Sequence, residues 1–337
     1  MAGVLRIAIV VAFLLAGGSL HALVSLAGGK LEVVGKIREQ YDGNIGSSPT
    51  DPIDDLILTL TPGVAYTRDS GLLGINANFG LEVGRFLEDR RLNYENLQLQ
   101  SGLNYPMVEN SNLQTNFDAS FMENSSPNPI IGERTESEAF TLNAGARYNF
   151  LPIYGIGVDA SSSSTKSLIS KSGSRLSDVD QEMLSGTIFY KYSELLEFKL
   201  NYRFRENKIT GVETDAISLR NAAKMSGEDQ AVSLGAEGSL TSLLAGAVQL
   251  GVFKRTLNDG EGSKDGFVSV TNLTWTLRPD VTTASLALIA DTTPTPTNDS
   301  IVSKNRSLTL DHTVSQFLSA SFMANYGITD FTSKLVG

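Results

Sequence analysis

From Leu73 to Val83 every second side chain is apolar. Leu73, Ile75, Ala77, Phe79, Leu81 and Val83 alternate with Gly74, Asn76, Asn78, Gly80 and Glu82. Successive Cβ atoms of a strand point to opposite faces, so this spacing predicts a strand with one apolar and one polar side. The pattern recurs in Leu97, Leu99, Ser101, Leu103 and Tyr105, then in Leu113, Thr115, Phe117, Ala119 and Phe121. It returns in Phe140, Leu142, Ala144, Ala146, Tyr148 and Phe150, and in Leu196, Phe198, Leu200, Tyr202 and Phe204. Strands are predicted at 31–41, 55–67, 72–86, 94–105, 112–122, 139–150, 154–161, 183–192, 196–205, 230–240, 244–253, 267–277, 281–290, 305–314 and 319–327.

Alternation also suits a soluble sandwich. Three features point elsewhere. The predicted strands are mostly longer than the ~5–6 residues of ordinary strands and match the ~10 tilted residues that cross a bilayer. Short connections, near 68–71, 106–111, 151–153, 193–195, 241–243, 278–280 and 315–318, alternate with long ones. The long ones lie near 42–54, 87–93, 122–138, 161–182, 206–229, 254–265 and 291–304. Outer-membrane barrels pair short periplasmic turns with long outer loops in this way. Aromatic residues gather at strand ends. Tyr66, Tyr105, Tyr148, Phe150, Tyr154, Tyr190, Tyr192 and Trp275 flank short turns, and Phe86, Tyr94, Phe121, Phe140, Phe204, Phe267 and Tyr326 flank long loops. Such rings favour the headgroup level and predict two girdles.

The predicted fold is an all-β transmembrane up-and-down antiparallel β-barrel. About 15 strands are present. Single-chain bacterial barrels have an even number, so 16 are expected in the complete protein, and 28–337 reads as a barrel lacking its closing C-terminal strand. Residues 1–27 read as a signal peptide, with Arg6 ahead of the apolar run Ile7–Leu15 and a small-x-small site at Ser25-Leu26-Ala27. No later run approaches the ~20 apolar residues of a spanning helix.

Composition agrees. Among 337 residues only 41% are hydrophobic and 19% charged, as expected when half of each strand faces water. The absence of cysteine excludes disulfides, thiol nucleophiles and cysteine-ligated metals. A net charge of −10 argues against a nucleic-acid partner.

The stretch Gln40-Tyr41-Asp42-Gly43-Asn44-Ile45, then Leu58-Thr59-Leu60-Thr61-Pro62-Gly63-Val64, then Gly80-Leu81-Glu82-Val83-Gly84-Arg85-Phe86, resembles the opening of the putative outer-membrane β-barrel porin family, second type. The likeness extends over most of the chain in pattern and is motif-like in roughly its first hundred residues. It implies an outer-membrane barrel of a Gram-negative bacterium and a pore. Members usually end on a strand closing with Phe, which this chain does not show.

Alternation places Lys36, Arg38, Glu82, Asp118, Arg147, Asp159, Lys191, Glu197, Lys199, Arg203 and Arg205 on the polar side, with Glu32 and Asp311. These are the candidate pore-lining residues. Lys199, Arg203 and Arg205 make one wall locally basic, whereas Glu82 and Asp118 stand on another. The remaining acids, among them Asp42, Asp51, Asp54, Asp55, Glu133, Glu136, Glu138, Asp178, Asp180, Glu182, Glu213, Asp215, Glu228, Asp229, Asp259, Glu261 and Asp265, fall in predicted loops. There they could meet divalent cations that bridge lipopolysaccharide phosphates.

No phosphate loop, metal-ligand spacing or nucleophile elbow occurs, so neither catalysis nor a cofactor is expected. His312 follows Asp311, but strand neighbours point to opposite faces, and His312 falls with Leu308, Leu310 and Val314.

The expected function is passive diffusion of small hydrophilic solutes, with loops 122–138, 161–182 or 206–229 folded inward. The alternatives are a structural or adhesive barrel whose acidic loops bind surface polysaccharide, and an outer-membrane hydrolase using His312. Expected partners are outer-membrane lipids, lipopolysaccharide and the barrel-insertion machinery. Monomer and homotrimer both stay open.

Overall fold

The computed structural model describes residues 24–45, 52–107, 111–128, 133–167, 178–210, 226–257, 263–279, 281–291, 300–315 and 318–331. They form one antiparallel sheet in which each strand neighbours the next in sequence. The strands are β1 (Val24–Leu26), β2 (Gly29–Asp42), β3 (Asp55–Arg68), β4 (Gly74–Phe86), β5 (Tyr94–Tyr105), β6 (Leu113–Asn128), β7 (Glu133–Leu151) and β8 (Tyr154–Ser167). They continue with β9 (Asp178–Lys191), β10 (Leu196–Thr210), β11 (Gly227–Ser239), β12 (Leu244–Leu257), β13 (Ser263–Arg278), β14 (Thr282–Asp291), β15 (Ser300–Ser315) and β16 (Leu318–Phe331). This is the predicted up-and-down β-barrel class, and β2 to β16 overlie the predicted strands in order. The added strand β1 has three residues, lies inside the segment read as a leader, and pairs with Gly29–Leu31.

The strands outrun the alternation. Residues 123–128, 133–138, 162–167, 206–210 and 227–229, predicted as loop, continue β6, β7, β8, β10 and β11. Once both faces of a strand meet water, sequence no longer needs an apolar side, and only backbone pairing continues. Glu136, Glu138, Asp178, Asp180, Glu182, Glu228, Asp229 and Asp265 are therefore strand residues. The centres of the three long loops expected to fold inward, 129–132, 168–177 and 211–225, lie outside the described residues.

Short turns have a local cause. Tyr192-Ser193-Glu194-Leu195-Leu196 and Leu240-Thr241-Ser242-Leu243-Leu244 close alike. Ser193 Oγ accepts the N–H groups of Leu195 and Leu196 at 3.2 and 3.1 Å. Thr241 Oγ1 accepts those of Leu243 and Leu244 at 3.2 and 3.0 Å. A hydroxyl at that position satisfies two backbone donors that no strand reaches. Beside the second turn Gly238 and Gly246 oppose each other at φ +140° and +154°. A Cβ on Gly238 would lie 1.8 Å from the Leu195 carbonyl oxygen, and one on Gly246 2.0 Å from that of Asn272.

The chain divides into two compact units, Met1–Ala144 with Ser163–Leu176, and Gly145–Ser162 with Ser177–Gly337. In the first, the resemblance motif forms a turn. Asp42 Oδ1 accepts the Asn44 N–H at 2.9 Å, the Tyr41 hydroxyl donates to Asp54 at 2.8 Å, and Ile45 N–H reaches the Ile53 carbonyl at 2.9 Å. That turn drives Ile45, 2% exposed, against Ile57 and Phe86, with Leu92 and Tyr94 beside them. Ile57 pairs with Phe86, and Tyr94 with Gly84, on the polar face. Phe86 and Tyr94 thus leave the predicted outer girdle and build a small dry core over polar positions.

Asp55 holds the neighbouring connection. Its carboxylate accepts the N–H groups of Leu87, Glu88 and Asp89 at 3.1, 3.1 and 2.9 Å. Replacing Asp55 with Ala takes the carboxylate from all three donors, of which Leu87 N–H also reaches the Leu56 carbonyl at 3.0 Å. A net hydrogen bond lost from a partly buried backbone donor costs ~0.5–1.5 kcal/mol. Amide exchange at Glu88 and Asp89 is expected to accelerate by tenfold or more (~1.4 kcal/mol per tenfold); unchanged protection in Asp55→Ala would show that the carboxylate holds nothing.

The second unit displays the apolar face plainly. Ile188, Leu200, Leu234 and Leu250 are successive ladder partners across β9 to β12, and Leu234 and Leu250 are 66% and 59% exposed. Each such side chain left in water forgoes ~1.5–3 kcal/mol of burial. A soluble protein does not leave rows like this uncovered, whereas a bilayer covers them. At the short-turn end, Phe150, Tyr154, Tyr190 and Phe198 stack in series at 6.4, 5.3 and 6.5 Å between centroids, and Tyr192 meets Phe198 edge-on at 6.1 Å. This is the predicted girdle on that side. No helix among the described residues is long and apolar enough to cross a membrane.

Candidate functional site

The charged candidates of the first unit stay apart. Lys36 and Arg38 of β2 sit opposite Thr61 and Thr59, Glu82 opposite Asn96, and Asp118 opposite Gly102. Asp118 and Asn76 converge over Gly102, where a Cβ would lie 2.7 Å from Asp118 Oδ1 and 2.5 Å from Asn76 Nδ2. Among the described residues no ion pair joins Lys36 or Arg38 to Glu82 or Asp118.

The second unit brings its candidates together. On β10, Glu197, Lys199, Asn201, Arg203, Arg205 and Asn207 occupy one face, as a period of two requires. Two charged storeys result. Toward the short turn, Arg147 of β7 donates to both carboxylate oxygens of Glu197 at 3.1 and 2.5 Å, and its guanidinium lies 4.0 Å over the Phe189 ring. Lys199 approaches the same ring at 5.6 Å and pairs with Glu237. Lys191 is the ladder partner of Glu197. A middle storey is uncharged, with Asn201 donating to Thr187 Oγ1 at 2.8 Å and Gln249 to Ser233 Oγ at 2.5 Å.

The second charged storey lies toward the loop end. Asp229 of β11 is fully buried. It accepts from Arg205 Nε and Nη2 at 3.1 and 3.0 Å and from Asn207 Nδ2 at 3.2 Å, and Arg255 Nε stands 3.8 Å away. Gln181 fixes Asn207 at 2.7 Å. Arg203 donates to both oxygens of Asp291, at 2.9 and 2.7 Å, and Arg205 Nη1 lies 3.6 Å from the same carboxylate. Asp291 is the last residue of β14, and Arg203 sits on β10. The sheet between them curls so tightly that one arginine and one aspartate span the gap. Ala231, Phe253 and Val268 pack as a dry cluster beside this layer, and Gly266 makes room for Phe253, whose ring lies 2.5 Å from where a Cβ would be. Asp159 is one storey removed, accepting from Ser185 at 3.5 Å.

The predicted basic wall is therefore a paired wall. Arg147, Lys199, Arg203 and Arg205 each meet a carboxylate, so no uncompensated field arises from them. Sequence reasoning missed Glu237, Arg255 and Asp291 and put Asp229 in a loop. Glu237, Asp229 and Arg255 continue the odd-numbered polar register of β11 and β12, a signal that could have found them. Asp291 carries none, because its partners are four strands away.

His312 lies with its Nδ1 2.8 Å from Thr282 Oγ1, on the face of Leu308 and Leu310, while Asp311 pairs with Thr283 on the other. Asp311 cannot orient the imidazole. Among the described residues no group of three acids or histidines is placed to hold a metal ion.

Long antiparallel strands in sequential order, exposing one apolar face girdled by aromatic rings, define the outer-membrane β-barrel class. The family described as "Putative beta-barrel porin 2" matches residues 35–335, and the chain belongs to it. No curated protein matches the sequence. Similar solved structures include CdiB from Escherichia coli, at 14% identity over 92% of this chain and 60% of that one, with a TM-score of 0.46. The FrpB iron transporter from Neisseria meningitidis gives 11%, 76%, 50% and 0.47. Copper transporter OprC gives 12%, 90%, 58% and 0.44. The chain thus spans between half and three fifths of these proteins.

Proposed function

We propose that the chain is an outer-membrane porin that lets small hydrophilic solutes diffuse passively along the polar face of its barrel, in a Gram-negative bacterium. The observation that carries this reading is the division of strands such as β4, β5, β9, β10 and β12 into an exposed apolar side and a side rich in amides, hydroxyls and charges. A polar lumen needs no catalytic group or cofactor to conduct. On this reading Lys36, Arg38, Glu82, Asp118, Arg147, Asp159, Lys191, Glu197, Lys199, Arg203 and Arg205 would line the lumen. Residues 1–27 would deliver the chain across the inner membrane, the insertion machinery would seat it, and lipopolysaccharide would surround its outer rim.

Purified chain added to a planar lipid bilayer is expected to give stepwise conductance increments in potassium chloride. A folded, inserted barrel that passes no current would overturn the reading.

A further inference from the structure

A cation on the apolar face needs a reason, because hydrocarbon offers it no partner. Across β14, β15 and β16 that face runs in ladder rows. Leu286, Leu308 and Ala324 form one row, Leu288, Arg306 and Tyr326 the next, and Ala290, Lys304 and Ile328 the third. Arg306 is exposed, as are Leu308 and Tyr326 beside it. Its guanidinium makes no hydrogen bond, ion pair or ring contact among the described residues. From Thr282 to Ala290, from Lys304 to His312 and from Ala320 to Ile328, this face holds no carboxylate.

Height is an independent observation. Arg306 stands nine positions from Ser315, where β15 ends. At ~3.3 Å per residue and a tilt of about 40°, that is roughly 20 Å up an apolar band ~25 Å tall. Tyr326, its ladder partner, is a ring of the kind that settles at the headgroup level. At a like distance from their own short turns, β9, β10 and β11 turn Glu182, Glu206 and Glu228 to the apolar side, and Glu206 is the ladder partner of both others. The loop-end border of the band is therefore acidic on β9 to β11 and basic on β15.

We propose that Arg306, with Lys304 two positions nearer the loop, binds the phosphate of an outer-leaflet lipid whose acyl chains lie on Leu308, Leu310 and Phe322. A guanidinium presents a planar fork that phosphate oxygens accept two at a time. Its stem packs on hydrocarbon while its head reaches the headgroups. Free phosphate gains only the fork. A phosphorylated lipid gains the fork and the apolar rows below it, so the lipid is the occupant. The glutamates of β9 to β11 repel the same headgroup and fix which strands it takes. The proposal rests on the outer-membrane reading and is independent of conductance.

Full chain folded in maltoside micelles, which carry no phosphate, is titrated with bis-phosphorylated lipid A and with its dephosphorylated form, and bound lipid is followed by native mass spectrometry. The phosphorylated lipid is expected to bind roughly tenfold or more tighter. Arg306→Gln should lose that preference and keep the weaker binding of the dephosphorylated lipid. Arg306→Lys, which keeps the charge without the fork, should fall between. Lys166→Gln removes the same charge from β8 and should bind as the parent does. Circular dichroism checks that each variant keeps its strand content. Equal affinity of the parent for the two lipids overturns the site, as does an undiminished preference in Arg306→Gln. An equal loss in Lys166→Gln overturns it too, because the attraction is then diffuse. Inorganic phosphate that displaces the lipid at equal concentration overturns the lipid as occupant. A chain that conducts but shows no preference sinks the site alone. Lipid preference in a chain that inserts and conducts nothing overturns the pore reading and leaves the site standing.

Discussion

Asp229→Ala is expected to lower the unfolding free energy of the chain by about 3–5 kcal/mol, the usual loss when one member of a buried ion cluster is removed. The carboxylate has no exposed surface and is held by Arg205, Asn207 and Arg255, themselves almost fully buried. Deleting it removes the acceptor shared by Arg205 and Asn207 and the carboxylate facing Arg255, in a layer where all three side chains are almost fully buried. The loss is that of uncompensated charge, and it exceeds the net worth of the cluster, because exchanging all its members for apolar groups need not destabilise at all. Asp229→Asn, which keeps one acceptor oxygen, should fall between parent and Ala variant. Urea unfolding of chain folded into lipid vesicles measures both. An Ala variant within about 1 kcal/mol of the parent would mean that water or another anion fills the layer.

Leu250→Arg should cost about 2–4 kcal/mol in a bilayer, with little change for Gln249→Arg one residue away. Leu250 lies in mid-strand on the apolar face, between Leu234 and Ser269, whereas Gln249 points to the other face beside Gly235 and donates to Ser233. An arginine at 250 must drag a guanidinium into hydrocarbon or snorkel away from it. At 249 it meets polar side chains and, in a pore, water. The contrast between neighbours tests which face meets lipid, independently of conductance. It is read from the difference in unfolding free energy between the two variants in the same vesicles. Equal effects, or a larger effect at 249, would show that the apolar face is covered by something other than lipid.

Much of the fold could be read from residue order. Among the described residues the short connections near 68–71, 151–153, 193–195 and 241–243 fall where they were expected, and two of them carry the same hydroxyl-closed turn at Ser193 and Thr241. His312 falls on the apolar side and Asp311 on the polar side, as one residue of offset demands. The strand ends were less legible. Glu136, Glu182 and Glu228 looked like loop because alternation fades where both faces meet water, although the backbone goes on pairing. Phe86 and Tyr94 looked like girdle residues because an aromatic ring at a strand end fits a headgroup or a dry pocket equally well. The turn at Asp42, which sends Ile45 onto Ile57, decides for the pocket.

The division is physical. Side chains of a strand alternate strictly, so a period of two settles which face each residue takes and, from the length of the run, that the face is wide enough for a membrane. That information is local and is present in the residues themselves. The meeting of Arg203 with Asp291 depends instead on how sharply five strands curl and how far each slides against the next. Those quantities come from summed small twists and from small residues such as Gly266 that permit close approach. Nothing at position 291 alone distinguishes a solvated loop acid from a carboxylate that pairs with an arginine four strands away.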